Sequence, residues 1–528
     1  MSTLMICNSG TTPATERRRI ASVLIVAAVL TVSTAACADG SGQAGQETRT
    51  QDFTSMQSED VEPVQIEIDV EAAAERLAGG VRFPTISNED RDDFDTAAFD
   101  AFHDYLEETF PNVHRTLTRE VLGDPRPYSL LYTWEGTDPS LEPVILMAHQ
   151  DVVPIANPDA WSYDPFAGTI DQGYLWGRGS WDDKGMIFAI MEAAEMKIQE
   201  GFQPTRTYYF VMGQDEEVGG GEGVGHIADV LEERGMGEAY LVFDESAPLV
   251  EGLFPGIPDN TALVGIAQKG YLSLELRVDG VGGHSSQPPE TSVIGILAEA
   301  ITKVEANPFP YKLNDALRHQ YRWMGPELPE DQQDMYAAVA FGNDDEMTEL
   351  EQQFIEMMEG NELTRAMLHT TTAVTIVEGG VKANVMPPTA RAVVNFRPTI
   401  GDSKEYIIDY LHEVIDDDRV TITDISQSTP ATFVADPYSD QYKLIERTLR
   451  QVYGNEIVVA PFFVVGGADA KYFAAKPLGV NTYTVTPLQL ESVADMPRLH
   501  GVDERIQLSE IGRSITFYYQ LMSNIEAL

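Results

Sequence analysis

Four short apolar runs, residues 143–148, 207–213, 239–243 and 458–465, each break off into polar side chains, and this pattern constrains the fold more than any other feature. Between the first two runs, residues 184–200 place Ile187, Ile190, Met191, Ala194 and Ile198 on one helical face. Strand, helix and strand in that order predict an α/β sheet. The texture changes near residue 263: residues 271–278 alternate as YLSLELRV, 292–304 read as a helix, 390–396 alternate again, and 406–415 read as a second helix. An α+β domain inserted at 263–425 is expected, dividing the larger unit into 63–262 and 426–528. Within the insertion, residues 308–365 are polar and give no clear period.

The 528 residues carry 84 Asp+Glu against 35 Lys+Arg, a net charge of -49. A polyanionic partner would be repelled over most of such a surface, so nucleic-acid binding is not expected. The acidity by itself reads as a solvation trait and names no ligand.

The two cysteines, Cys7 and Cys37, both lie in or beside an N-terminal leader with a basic cluster (Arg17, Arg18, Arg19), an apolar run to Ala36 and small residues before Cys37. Residues 1–36 therefore read as an export signal, too short for a retained membrane span. Thr34-Ala35-Ala36-Cys37 resembles a bacterial lipoprotein processing box, with Thr34 where that pattern carries Leu. Lipidation at Cys37 and anchoring outside the cytoplasm are expected, with plain secretion as the alternative. Residues 37–62 are small, polar and acidic and read as a flexible tether. No cysteine then remains for a thiolate metal site or a thiol nucleophile, so any metal must be held by His, Asp and Glu.

Ligands in open α/β sheets gather beyond the carboxyl ends of strands, and the polar residues of this chain cluster there. His149-Gln150-Asp151 follows the first run, Asp215-Glu216-Glu217 the second and Asp244-Glu245 the third. Two Gly-containing turns add Asp182-Asp183 (in GRGSWDDKG) and His500 (in HGVDERI). Each piece alone reads as a structural hydrogen bond or solvated surface in so acidic a chain. The glycine run from Gly219 to Gly225 lacks the Lys-Ser/Thr of a phosphate loop and reads instead as a tight backbone path behind Glu217.

Together, HQD, GRGSWDDKG, DEEVGG, FDE, GGHSSQPP, GGVKANVMPP and HGVDERI resemble, in order, the M20 family of metallopeptidases and amidohydrolases. FDESAPLVEG, GHSSQPP and ETSVIGIL are most similar to its carboxypeptidase S and N-acyl-amino-acid amidohydrolase branch. The resemblance implies a mixed-sheet α/β zinc-peptidase domain with an inserted α+β lid or dimerisation domain. It also implies two zinc ions sharing Asp182, with His149 and Asp244 on one and Glu217 and His500 on the other. Oxygen and imidazole donors suit zinc, and cobalt or manganese are alternatives. By sequence alone either acid of the 182–183 pair could be the bridge; the family pattern favours Asp182.

The resemblance further implies Glu216 as general base, with a third metal ligand as its alternative role, and Asp151 as the partner fixing the His149 tautomer. His284 would stabilise the oxyanion, Asn384 would add a polar contact, and Arg397 would clamp a free carboxylate, which Gly466 and Gly467 let the backbone approach. In dimeric relatives the lid histidine crosses the subunit interface, so a homodimer is one expectation. The function implied is a di-zinc hydrolase of peptides or N-acyl amino acids. A non-catalytic binding lipoprotein on the same fold, and esterase or lactamase action on the same metal pair, are the alternatives.

Overall fold

Each apolar run becomes a strand. The longer strands in chain order are β1 (Thr118–Leu122), β2 (Ser129–Trp134), β3 (Val144–His149), β4 (Tyr208–Gly213), β5 (Leu241–Glu251), β6 (Asn260–Gln268), β7 (Leu272–Asp279), β8 (Thr371–Gly379), β9 (Thr389–Arg397), β10 (Val420–Asp424), β11 (Val458–Val464) and β12 (Thr482–Leu490). They belong to a computed structural model that describes residues 53–252, 260–343, 347–479 and 481–527. The expected export signal, Cys37 and the tether as far as residue 52 lie outside the described residues.

Eight strands form one mixed sheet in the order β1-β2-β4-β3-β5-β12-β6-β11. β3 runs parallel to β4 and β5, and β12 parallel to β5, whereas β2 is antiparallel to β4. All six residues of β3 are buried, as expected of a central strand covered on both faces. The crossover from β3 to β4 is helix α1 (Lys184–Gln199), which is buried on nearly every side rather than along one stripe.

A second sheet, β8-β9-β7-β10, is antiparallel throughout. Helices α2 (Val293–Ala306) and α3 (Lys404–Ile415) cover it, each started by a serine, Ser292 and Ser403, whose hydroxyl accepts a backbone N–H of the first turn. Leu274, Leu276, Val394, Phe396, Leu297 and Leu411 form its separate core. The last helix, α4 (Leu508–Glu526), returns to the large sheet and shares a core with α1, which is why the outer face of α1 is buried too.

Two sequence expectations change. Residues 308–365 are largely helical, over Asp315–Met324, Gln333–Phe341, Glu349–Glu359 and Glu362–Met367, and their buried Leu317, Tyr321, Trp323 and Phe354 join the core of the large sheet. This segment of the expected insertion thus belongs, by packing, with the large sheet. The chain is also fastened from Phe53 onward, nine residues before the end of the expected tether. The Gln57 carboxamide accepts the N–H of Val459 at 2.9 Å and donates to its carbonyl at 2.8 Å, pairing with edge strand β11 as a neighbouring strand would. Ser58 donates its N–H to Glu446, and Val61 exchanges hydrogen bonds with the Asn455 side chain.

Among the described residues no helix is long and apolar enough to cross a membrane.

Candidate active site

His149 is the last residue of β3 and is 1% exposed. Its Nδ1 lies 2.9 Å from the Asp151 main-chain oxygen and 3.4 Å from that residue's Oδ1. The Asp151 carboxylate has another duty: its two oxygens accept the N–H groups of Glu216 and Glu217, each at 3.1 Å. Asp151 thus meets the His149 ring chiefly through its main-chain oxygen and holds the turn after β4 through its carboxylate.

The His149 Nε2 faces two carboxylates, Asp182 Oδ1 at 3.0 Å and Glu245 Oε1 at 3.2 Å. The other oxygen of Asp182 lies 2.9 Å from His500 Nε2, which is also 3.2 Å from Glu217 Oε2. Asp182 therefore stands between two imidazoles contributed by distant parts of the chain. Asp183 instead accepts the His149 backbone N–H at 3.2 Å, and the two-sided position between the histidines is taken by Asp182.

Asp244 departs from the expectation. Its Oδ2 accepts the Ala470 N–H at 2.7 Å and its Oδ1 the N–H of Glu245, so the carboxylate is engaged with backbone, and Glu245 occupies the place beside His149 that the sequence expectation gives to Asp244. Successive strand residues point to opposite faces, so the two adjacent carboxylates have different surroundings.

The turn carrying Asp182 is held by a residue that sequence reasoning passes over. Glu504 is fully buried; its Oε1 accepts N–H groups from Gly179 at 2.9 Å, Trp181 at 3.0 Å and Asp182 at 3.2 Å, while Oε2 pairs with Arg178. Glu504 lies within HGVDERI and Arg178 within GRGSWDDKG, so both are visible as motif letters; only their mutual pairing is hidden. Gly220 has φ +74° and a methyl group there would collide with Asp469 Oδ1, so the path behind Glu217 is one that glycine alone allows.

Electrostatics mark the cluster. Burial alone would depress the His149 imidazole, but Glu245, Asp151 and Asp182 outweigh it and hold it well above its ordinary value. Hydrogen bonds to Asp182 and Glu217 raise His500 to about 10. Burial, reinforced by the Asp182 charge, pushes Glu217 up to about 8 and Glu245 well above the usual carboxyl range. Burial also raises Glu216, opposed by the nearby Lys471 charge. Buried against its preference for water, Asp182 still stays below the usual range because both imidazoles donate to it.

This donor set fits divalent cations. His149, Asp182 and Glu217 each offer a ligand atom within 4.8 Å of the others, and so do His149, Asp183 and Glu245. Glu217 Oε1 is buried with no hydrogen-bond partner. So many carboxylates crowded together raise one another's proton affinity, and positive ions among them relieve that repulsion.

The remaining expected residues divide into two groups. Arg397 ends β9 with its guanidinium 5.0 Å from the Tyr271 ring centroid; burial lowers its pKa, and Glu216 is among the charges that act on it. A methyl group on Gly467 would stand 3.9 Å from Arg397 Nη1, whereas one on Gly466 would meet nothing. His284 and Asn384 lie on an exposed arm in which Gly283–His284 pairs with Val385–Met386. The Ser286 N–H and hydroxyl both bond His284 Nδ1, and the Asn384 carbonyl accepts the Ser285 N–H. Among the described residues, neither side chain has a hydrogen bond to the carboxylate cluster.

The sequence model described as Peptidase family M20/M25/M40 matches residues 145–524. The chain is 38% identical over 456 residues to a probable carboxypeptidase S-like 2 of Dictyostelium discoideum, covering 86% of this chain and 85% of that one. It is 34% identical over 459 residues to an N-fatty-acyl-amino acid synthase/hydrolase of Xenopus tropicalis, covering 85% of each. Among solved structures, an M20 family metallo-carboxypeptidase from Sulfolobus solfataricus superposes with a TM-score of 0.63 at 16% identity, over 86% of this chain and 99% of that one, which shows a shared fold.

Proposed function

The chain belongs to the M20/M25/M40 peptidase family and is a hydrolytic metallopeptidase, and on that premise we propose that it uses two zinc ions to cleave an amide or peptide bond next to a residue with a free carboxylate. The observation that carries this reading is the reach of Asp182, with one carboxylate oxygen at His149 and the other at His500. One ion is assigned to His149, Asp182 and Glu245, the other to Asp182, Glu217 and His500, with cobalt or manganese as chemically acceptable substitutes. Bound there, the metal pair supplies Lewis-acid polarisation of the scissile carbonyl and lowers the pKa of water.

The protein's own groups do the rest. Glu216 accepts the proton of the attacking water and delivers it to the leaving amine; burial raises its pKa, which strengthens it as a proton acceptor. Arg397 holds the substrate carboxylate through its planar fork, beside Gly467. His284 donates to the developing oxyanion and Asn384 adds a polar contact when the smaller sheet brings its arm over the substrate. Relatives named as a carboxypeptidase and as an N-fatty-acyl-amino acid hydrolase support a substrate with a free carboxylate, either a peptide C-terminus or an N-acyl amino acid.

Export, lipid attachment at Cys37 and a homodimer built through the smaller sheet complete the proposal. Each rests on the sequence pattern or the family resemblance. A hydrolysis screen of N-acyl amino acids, dipeptides and their C-terminal carboxamides, with zinc added or removed by chelator, tests the central reading. Zinc-dependent turnover confined to free acids is expected. Equal turnover of acids and carboxamides would remove the carboxylate requirement.

A further inference from the structure

Gln268 ends β6 beside the proposed carboxylate site and is 3% exposed. Its backbone is tied to Thr432, whose Oγ1 accepts the Gln268 N–H at 2.9 Å and whose N–H donates to the Gln268 carbonyl at 3.0 Å. Its side-chain Oε1 accepts the Ala468 N–H at 2.8 Å, which fixes which end of the amide is oxygen. The other end, Nε2, is buried and has no hydrogen-bond partner. A buried donor left unpaired is costly, and native structures leave few of them.

The amide that carries this donor stands next to the proposed carboxylate site. A methyl group on Gly467 would lie 3.8 Å from Gln268 Oε1 and 3.9 Å from Arg397 Nη1, so amide and guanidinium stand against the same glycine. The neighbouring amine, Lys269, is already committed to the His369 carbonyl at 2.6 Å. A carboxylate has more acceptor sites than one guanidinium fills. A neutral amide can supply a further donor without adding a second positive charge next to Arg397.

We propose that Gln268 is a substrate-binding residue whose Nε2 donates a hydrogen bond to the free carboxylate held by Arg397, with Gly467 leaving room between them. This rests on the free-carboxylate reading above and adds a residue that the family motifs do not single out.

Steady-state kinetics of the full chain loaded with zinc, using an N-acyl amino acid and its carboxamide, separate the two ideas. Gln268→Met removes the donor without adding charge beside Arg397; KM for the free acid is expected to rise at least about tenfold, the equivalent of one lost hydrogen bond, with kcat changed far less, and Gln268→Glu, which keeps an acceptor for Ala468 but adds a negative charge, should raise it further. Gln268→Leu removes both groups and should raise KM for the free acid in the same way. A wild-type KM in Gln268→Met, checked for an unchanged melting temperature, overturns the proposal and leaves Gln268 as a support for Ala468. Arg397→Ala is the control: if it discriminates acid from carboxamide and Gln268→Met does not, only the Gln268 role falls. If Arg397→Ala fails to discriminate, the carboxylate reading falls and takes this inference with it.

Discussion

Asp244 and Glu245 are consecutive residues of β5 with separate duties: Asp244 Oδ2 accepts the Ala470 N–H at 2.7 Å, while Glu245 Oε1 sits 3.2 Å from His149 Nε2. Glu245→Gln should therefore lose one metal equivalent and nearly all activity. Asp244→Asn should retain both metals and show its effect mainly as a lower melting temperature. Metal analysis of the purified variants checks this, and the opposite pattern would restore Asp244 as the ligand.

Glu216→Gln should keep a full metal complement and lose about 10²–10⁴ in kcat, the usual worth of a positioned general acid or base. Activity close to wild type, or a missing metal ion, would remove Glu216 from the proton-transfer role.

Metal uptake should release protons. His500 is raised to about 10 and Glu217 to about 8 in the metal-free cluster, so both carry a proton at pH 7, and ligands must give theirs up to bind a cation. Calorimetric titration with zinc in buffers of different ionisation enthalpy should report net proton release at pH 7, with His149 and Glu245, also raised, contributing beside His500 and Glu217. Affinity should weaken as pH falls. A heat independent of buffer would contradict the assigned ligands.

Lys269 gives a stability signature. Burial lowers its ammonium to about 7, far below its value in an unfolded chain. Below that pH both states hold the proton; between about 7 and 10 the unfolded state keeps it and the folded state does not, so stability contributed by this group rises with pH, by at most about 1.4 kcal/mol per unit. Denaturation curves of wild type and Lys269→Met should diverge accordingly between pH 7 and 9, the wild type gaining. Parallel pH dependences would count against it.

Gln57→Leu should lower stability by roughly 1–3 kcal/mol, because both Val459 groups lose their partner at the sheet edge. Gln57 bonds to β11 and has no hydrogen bond to the carboxylate cluster among the described residues, so kcat should not change. Denaturant unfolding paired with a turnover assay checks both halves.

The large sheet and most of the cluster are legible in the sequence because both follow from short-range pattern. An apolar run that stops at a histidine or an acidic pair marks a strand end, which brings His149 and Glu217 into view, and the glycine turns do the same for Asp182 and His500. The choice between Asp244 and Glu245 depends on how the strand exits the sheet, which a doublet of acids does not encode. Gln57 reads as tether because its partner, Val459, is 402 residues away, and nothing local betrays such a pairing. Residues 308–365 conceal helices whose apolar positions are spaced among many charges and make sense only once β11 is there to receive them.

Arg178 and Glu504 are 326 residues apart in sequence, yet the carboxylate of one organises the loop that presents Asp182. A ribosome that has not yet delivered the last part of the chain has made every acid of the cluster but neither His500 nor the group that shapes the Asp182 turn. Until residues 500–504 are made, the arrangement of two imidazoles about Asp182 cannot form, so early and late parts of the chain complete this cluster together.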